Sequence, residues 1–209
     1  MKLKKTVGKR LHILEIALLL GIAVCLGSGA AALRVQSNLA DKIVRLHVIA
    51  NSDSPADQAL KLEVRDTVLG AATDLLAETT ERKEAEILLS GKLSELERLA
   101  EHEVCIRGFD YDVTAELVCT EFPTREYDGF TLPAGEYLAL RILIGEGAGQ
   151  NWWCVVFPPL CTSAAVEVPA AALDAGFLQE EVSLICEESG YILKFKTVEF
   201  WEKLRQKFA

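Results

Sequence analysis

Apolar and polar positions alternate through DKIVRLHVIAN, residues 41–51. Val44, Leu46 and Val48 fall on one side, and Ile43, Arg45, His47 and Ile49 on the other, which is the two-residue period of a strand. NSDSPADQ then ends the strand and starts a helix. Ser54 is suited to the N-cap, Pro55 to the first turn, and Asp57 stands at the capping-box position. Leu60, Val64, Val68, Ala71 and Leu75 follow at helical spacing. The period predicts a second helix over about residues 81–103, with Ala85, Leu89, Leu93, Leu96 and Ala100 as its buried stripe.

Alternation returns in YDVTAELVCT, residues 111–120, with Val113, Ala115, Leu117 and Cys119 inward and Asp112, Thr114 and Glu116 outward. FPTREYDGFTLPAG is punctuated by Pro and Gly and reads as a loop. EYLALRILIG, residues 136–145, is apolar on nearly both sides and belongs in the middle of a sheet. NWWCVVF reads as a further strand, stopped by Pro158 and Pro159. A short helix is expected near residues 169–181 and an amphipathic segment over 198–208. The pattern is α+β: a small mixed or antiparallel sheet with helices packed on it.

The first 32 residues have a different character. Lys2, Lys4, Lys5, Lys9 and Arg10 precede the uncharged apolar run Ile16–Leu26, and Ala30–Ala31–Ala32 offers a small-residue exit, the pattern of a secretory signal peptide. Residues 11–32 also have the length of a short membrane anchor, with Glu15 and three glycines counting against a permanent span. Either reading makes residues 33–209 a single exported domain, large enough for a sizeable core. That part carries 17 basic and 30 acidic residues, a net charge of −13. Such a surface repels phosphate backbones and anionic lipid, which argues against nucleic-acid binding. The membrane enters only through the N-terminal segment, during export or as an anchor.

RLHVIANSDSPADQALKLEVRD (45–66) and FPTREYDGFTLPAGEYLALRILIGEGAGQNWWCVVFPPLC (122–161) resemble the stage II sporulation protein R family. The second block is the more specific, with LPAGEY, a Gly-rich turn and NWWCVVFPPLC in that order. The resemblance implies a signalling protein of endospore formation, made in the forespore and exported across its membrane into the intermembrane space. There it would activate a membrane-embedded aspartic protease of the mother cell, which removes the pro-sequence of sigma-E.

The residues themselves leave several chemistries to weigh. Cys154 and Cys161 enclose six residues in a chain with an export signal, so a disulfide competes with two buried thiols. Cys105, Cys119 and Cys186 are expected to be buried and free. A Cys154 nucleophile needs a histidine base, and His47 and His102 are the histidines beyond the signal; no local hydrolase signature accompanies them. HExxH and CxxC are absent, and NSDSPAD lacks the glycine of a calcium loop and puts Pro55 at a ligand position, so no metal is expected. Nothing asks for a cofactor. Gly145, Gly147 and Gly149 fit a hairpin turn better than a phosphate cradle.

Trp152 and Trp153 must point to opposite faces of their strand, one toward core and the other under another element or at a contact surface. Candidate partner contacts are therefore His47, Asn51, Ser52, Asp53, Trp152 and Trp153. Two function classes follow: a non-enzymatic activator of a membrane protease, or an exported hydrolase or ligand-binding domain using His47, Asp53 or Cys154.

Overall fold

β1 (Val44–Ile49) lies inside a four-stranded mixed sheet whose order is β2 (Val113–Phe122), β5 (Gly135–Ile144), β1, β6 (Asn151–Phe157). This is a computed structural model, and it describes residues 36–127, 129–161, 172–173 and 176–186, with 12, 15–16, 18–24, 27 and 34 nearer the N-terminus. β1 pairs parallel with β5 and antiparallel with β6, while β2 pairs antiparallel with β5. The parallel pair requires a long crossover. It is supplied by α1 (Pro55–Leu75) and α2 (Arg82–Ile106), followed by β2 and a small hairpin, β3 (Arg125–Tyr127) and β4 (Phe130–Leu132).

The period-two pattern sorts the two faces. Val44, Leu46 and Val48 of β1, Leu138, Leu140, Ile142 and Ile144 of β5, and Val113 and Ala115 of β2 face the helices. Leu60, Val64 and Val68 of α1 and Ala85, Leu89, Leu96 and Ala100 of α2 close that layer, each side chain contributing about 1.5–3 kcal/mol for the larger aliphatics. Leu93 and Leu75 pack at its rim. The opposite face forms a second core of Ile43, Phe122, Phe130, Leu132, Tyr137, Ala139 and Val155, joined by Phe177, Val182 and Ile185 from α3 (Gln179–Ile185) and the residues before it.

Four expectations change. The segment FPTREYDGFTLPAG is not plain loop: β3 and β4 pair within it, and Phe130 and Leu132 are buried. Three-residue strands bounded by Pro and Gly are too short to show a period. The Gly-rich GEGAGQN is not a hairpin turn, because β1 stands between β5 and β6; the loop steps over the end of β1 instead. Cys105 and Cys119 are exposed thiols rather than buried ones; Cys105 is in the last turn of α2 and Cys119 lies on the edge strand β2. The C-terminal helix begins at Gln179 and runs to Ile185, later than the expected 169–181, although residues 172–173 are helical.

The amphipathic segment 198–208 lies outside the described residues. The chain divides into two compact units, Met1–Asn38 and Leu39–Ala209. The described residues between 12 and 34 are helical, yet among the described residues no helix is long and apolar enough to cross a membrane.

The crossing loop approaches β1 so closely that a side chain does not fit at one glycine. A Cβ on Gly149 would collide with the Ser52 carbonyl, with Ser52 C at 2.6 Å and Ala50 Cβ at 2.9 Å. Gly70, exposed in α1, has nothing within 4 Å of the same added atom. Gly149→Ala should lower unfolding stability by about 2 kcal/mol or more. Gly70→Ala should raise it by about 0.5–1 kcal/mol. Equal effects in chemical denaturation would show that the crossing is not tightly packed.

Candidate functional site

The exit of β1 and the start of α1 are built around one carboxylate. Ser54 caps α1, accepting from the Asp57 amide at 3.1 Å. The Asp57 carboxylate does not accept from the Ser54 amide as a capping box would require; that amide donates to Ser52 Oγ at 3.1 Å. The carboxylate accepts instead from Asn51 Nδ2 at 2.9 Å, Ser52 Oγ at 2.5 Å and the Tyr111 hydroxyl at 3.2 Å. Those donors, Ser52 first and then Asn51, hold the Asp57 carboxyl below its ordinary value against the opposing effect of burial.

Asn51 passes the constraint on. Its Oδ1 accepts from the Glu146 amide at 3.0 Å, and its backbone carbonyl accepts from Ala148 N at 3.1 Å. The Gly149 amide donates to Ala50 O at 2.9 Å. Lys61 reaches from α1 to the Gln150 carbonyl at 3.0 Å, and Gln58 Nε2 donates to Ser52 O at 2.8 Å. The strand exit and the glycine loop, far apart in sequence, thus form one interlocked corner. Asn51 and Ser52 spend their side chains inside it, whereas Asp53 is exposed.

A second cluster occupies the face away from α1 and α2. His47 is opposite Trp153 in the register, and their rings stack at 5.9 Å with an interplanar angle of 22°. His47 Nε2 meets Asn151 Oδ1 at 2.7 Å. Burial pushes the imidazole pKa down; the Asn151 bond opposes this, and Arg141 and Arg45 push it further down. The ring is therefore neutral at pH 7, with Nε2 donating to Asn151. Arg125, from β3, lies over Trp153 with its guanidinium carbon 3.8 Å from the ring centroid. Trp153 is half-buried, Asn151 and Thr114 are exposed, and Ile49, Leu143 and Arg141 are partly so.

Arg45 lies beneath the hairpin and is fully buried. Its guanidinium sits 4.1 Å from the Phe122 centroid and 5.1 Å from that of Tyr137, and it donates to the Tyr127 hydroxyl and the Cys154 carbonyl. Among the described residues no carboxylate pairs with it. Burial lowers its pKa, but a guanidinium stays charged in a protein. Burial also pushes Tyr137 up to about 12, so this phenol supplies no counter-charge. Sequence reading missed Arg45 and Arg125. The available signal was an arginine in the middle of an apolar strand; Arg125 gave none, because its hairpin was hidden.

The remaining candidates separate. Trp152 faces the helix side, where Arg65 of α1 covers its ring at 4.7 Å. Cys154 also faces that side and is bonded to Cys161, with Cα atoms 6.1 Å apart, inside the normal disulfide range. Cys161 Sγ accepts from the Val155 amide, capping part of the outer edge of β6. The Phe157–Pro158 bond that turns the chain there is cis. His47 and Cys154 thus project to opposite faces of the sheet, and no Cys–His dyad forms from them. Among the described residues no group of three His, Cys, Asp or Glu is placed to hold a metal ion.

Residues 40–167 match the family model for stage II sporulation protein R, and this span contains both clusters. The chain is similar to the stage II sporulation protein R of Bacillus subtilis (strain 168), 36% identical over 162 residues, covering 76% of this chain and 71% of the relative. No solved structure matches.

Two predictions follow from the corner and the clasp. Asp57 has a depressed pKa in the folded state, so its stabilisation is present above the ordinary value of 3.8 and is lost as pH falls through the lower folded value. Asp57→Asn places an amide donor against Asn51 and Ser52. It should be less stable than the wild type at pH 7, with the gap narrowing below pH 3.8 in thermal melts. A pH-independent gap would remove the carboxylate from this role. Cys154→Ser and Cys161→Ser should each cost about 2–3 kcal/mol, and the double variant should be little worse than either. Additive losses would mean the two cysteines act separately.

Proposed function

The chain belongs to the stage II sporulation protein R family, and from that premise we propose that it is an exported, non-enzymatic signal that activates a membrane-embedded aspartic protease and so triggers pro-sigma-E processing in the mother cell. The sporulation role rests on the family. The finer reading draws on the basic and apolar N-terminal 32 residues, which suit export, and on the family's resemblance-based activity. The observation that carries the non-enzymatic part is how the polar groups are used. Asp57, Asn51 and Ser52 bind one another, His47 binds Asn151, and Cys154 is joined to Cys161. These groups shape a rigid surface and are not poised as nucleophile and base, which favours recognition over turnover.

The test is reconstitution. The chain, the protease in membranes and its pro-sigma substrate are combined, and processing is followed by gel shift. Processing should depend on the chain, and the substrate should stay uncut when the chain alone is added to it. Processing that proceeds equally without the chain contradicts the activator role. Loss of processing with His47→Ala in a folded protein, together with cleavage of the substrate by this chain alone, would favour the hydrolase instead.

A further inference from the structure

We propose that the patch formed by Arg125, Trp153 and the underlying Arg45 is a docking site for the carboxylate of an acidic segment on a partner protein. Four buried side-chain polar atoms lack a partner among the described residues, and three of them lie here: Arg45 Nη1, His47 Nδ1 and Arg125 Nε. The fourth, on Arg82, is elsewhere in α2. Arg45 Nη1 and Arg125 Nε are donors of permanently charged guanidinium groups and are costly unless an acceptor completes them, whereas Nδ1 of the neutral His47 ring is an acceptor.

Among the described residues the patch has no counter-ion. Lys42 has Glu181, Arg107 has Glu63 and Glu103, and Arg141 has Glu116. No carboxylate among the described residues pairs with Arg45 or Arg125, in a chain whose residues 33–209 carry net charge −13. A buried cation without a counter-charge is costly, and a charge-assisted bond to a carboxylate is among the stronger polar contacts. An aromatic floor accompanies the cations, since Trp153 is half-buried beneath Arg125.

Access follows from the topology. β3 and β4 form a separate two-stranded sheet that makes no ladder bonds with the main sheet. Arg125 stands partly exposed at the rim, where an incoming carboxylate meets it first, with the buried Arg45 charge behind it. The long-range repulsion of the surface discourages acidic ligands elsewhere, so the patch selects a segment that matches it locally. The site deepens the recognition role proposed above by naming the partner's contact chemistry. It does not depend on which protease is the partner.

Peptides alone provide the test, so a negative result here leaves the protease assay standing. Full-chain protein is titrated with a hexaglutamate peptide, a hexaglutamine peptide and free glutamate. Tryptophan fluorescence and the Arg125 Nε–H signal in 15N spectra are the readouts. Hexaglutamate should bind saturably and move the Arg125 signal, and Arg125→Gln should weaken it about tenfold while the thermal melt is unchanged. Hexaglutamine should not bind. Equal responses to the two peptides overturn the proposal. So does hexaglutamate binding that survives Arg125→Gln, as it would if the basic residues 2–10 were responsible. Free glutamate binding as tightly as the peptide would reduce the patch to a small-anion site and overturn the partner-segment assignment.

Discussion

The carboxylate of Asp57 is the point on which the arrangement turns. Strand β1 ends and helix α1 begins within a few residues, and the exposed backbone and side-chain donors of that bend all need an acceptor. Asp57 takes Asn51 and Ser52 together. Once Asn51 is held, its remaining amide oxygen and backbone carbonyl fix Glu146 and Ala148 of the loop between β5 and β6. That loop then crosses β1 with Gly149 against Ser52, where a side chain would not fit. The insertion of β1 between β5 and β6 is thus secured at its end as well as along its ladders.

From the corner the constraint runs down the sheet. The register set by β1 and β6 places His47 against Trp153 and Arg45 against Val155 on one face, and Leu46 against Cys154 on the other. One face is consumed by packing against α1 and α2. The other is divided: Tyr127 of the hairpin covers Arg45, while Trp153 and Arg125 stand at the boundary with solvent. The disulfide to Cys161 ties off the end of β6.

Strong periods were legible in the sequence and weak ones were not. The two-residue alternation of β1 and β2 and the helical spacing of α1 and α2 appear directly in the residue order, and the nearly unbroken apolar run of β5 marked it as central. The pairing of Cys154 with Cys161 stayed open beside two buried thiols, and the strand set Trp152 and Trp153 to opposite faces without deciding which is core, because local spacing limits these outcomes without deciding them. The strand order was hidden: a Gly-rich link between two strands reads as a hairpin, and nothing local reveals that a distant strand has been inserted. The same holds for Asp57, whose capping-box position concealed partners on its N-terminal side. Arg45 was visible as a residue but not as a problem, since the lack of a counter-charge among the described residues is a property of the folded neighbourhood.

Corner and patch have distinct roles in this account: Asp57 builds the surface, and Arg125 meets the partner. Reconstituted pro-sigma processing, plotted against the folded fraction of each variant over a temperature series, separates the two. Asp57→Asn should fall on the wild-type line, losing processing only in proportion to unfolding. Arg125→Gln should fall below that line at every temperature while remaining fully folded. Arg125→Gln on the line, or Asp57→Asn well below it, would contradict the division between the corner that shapes the surface and the patch that is recognised.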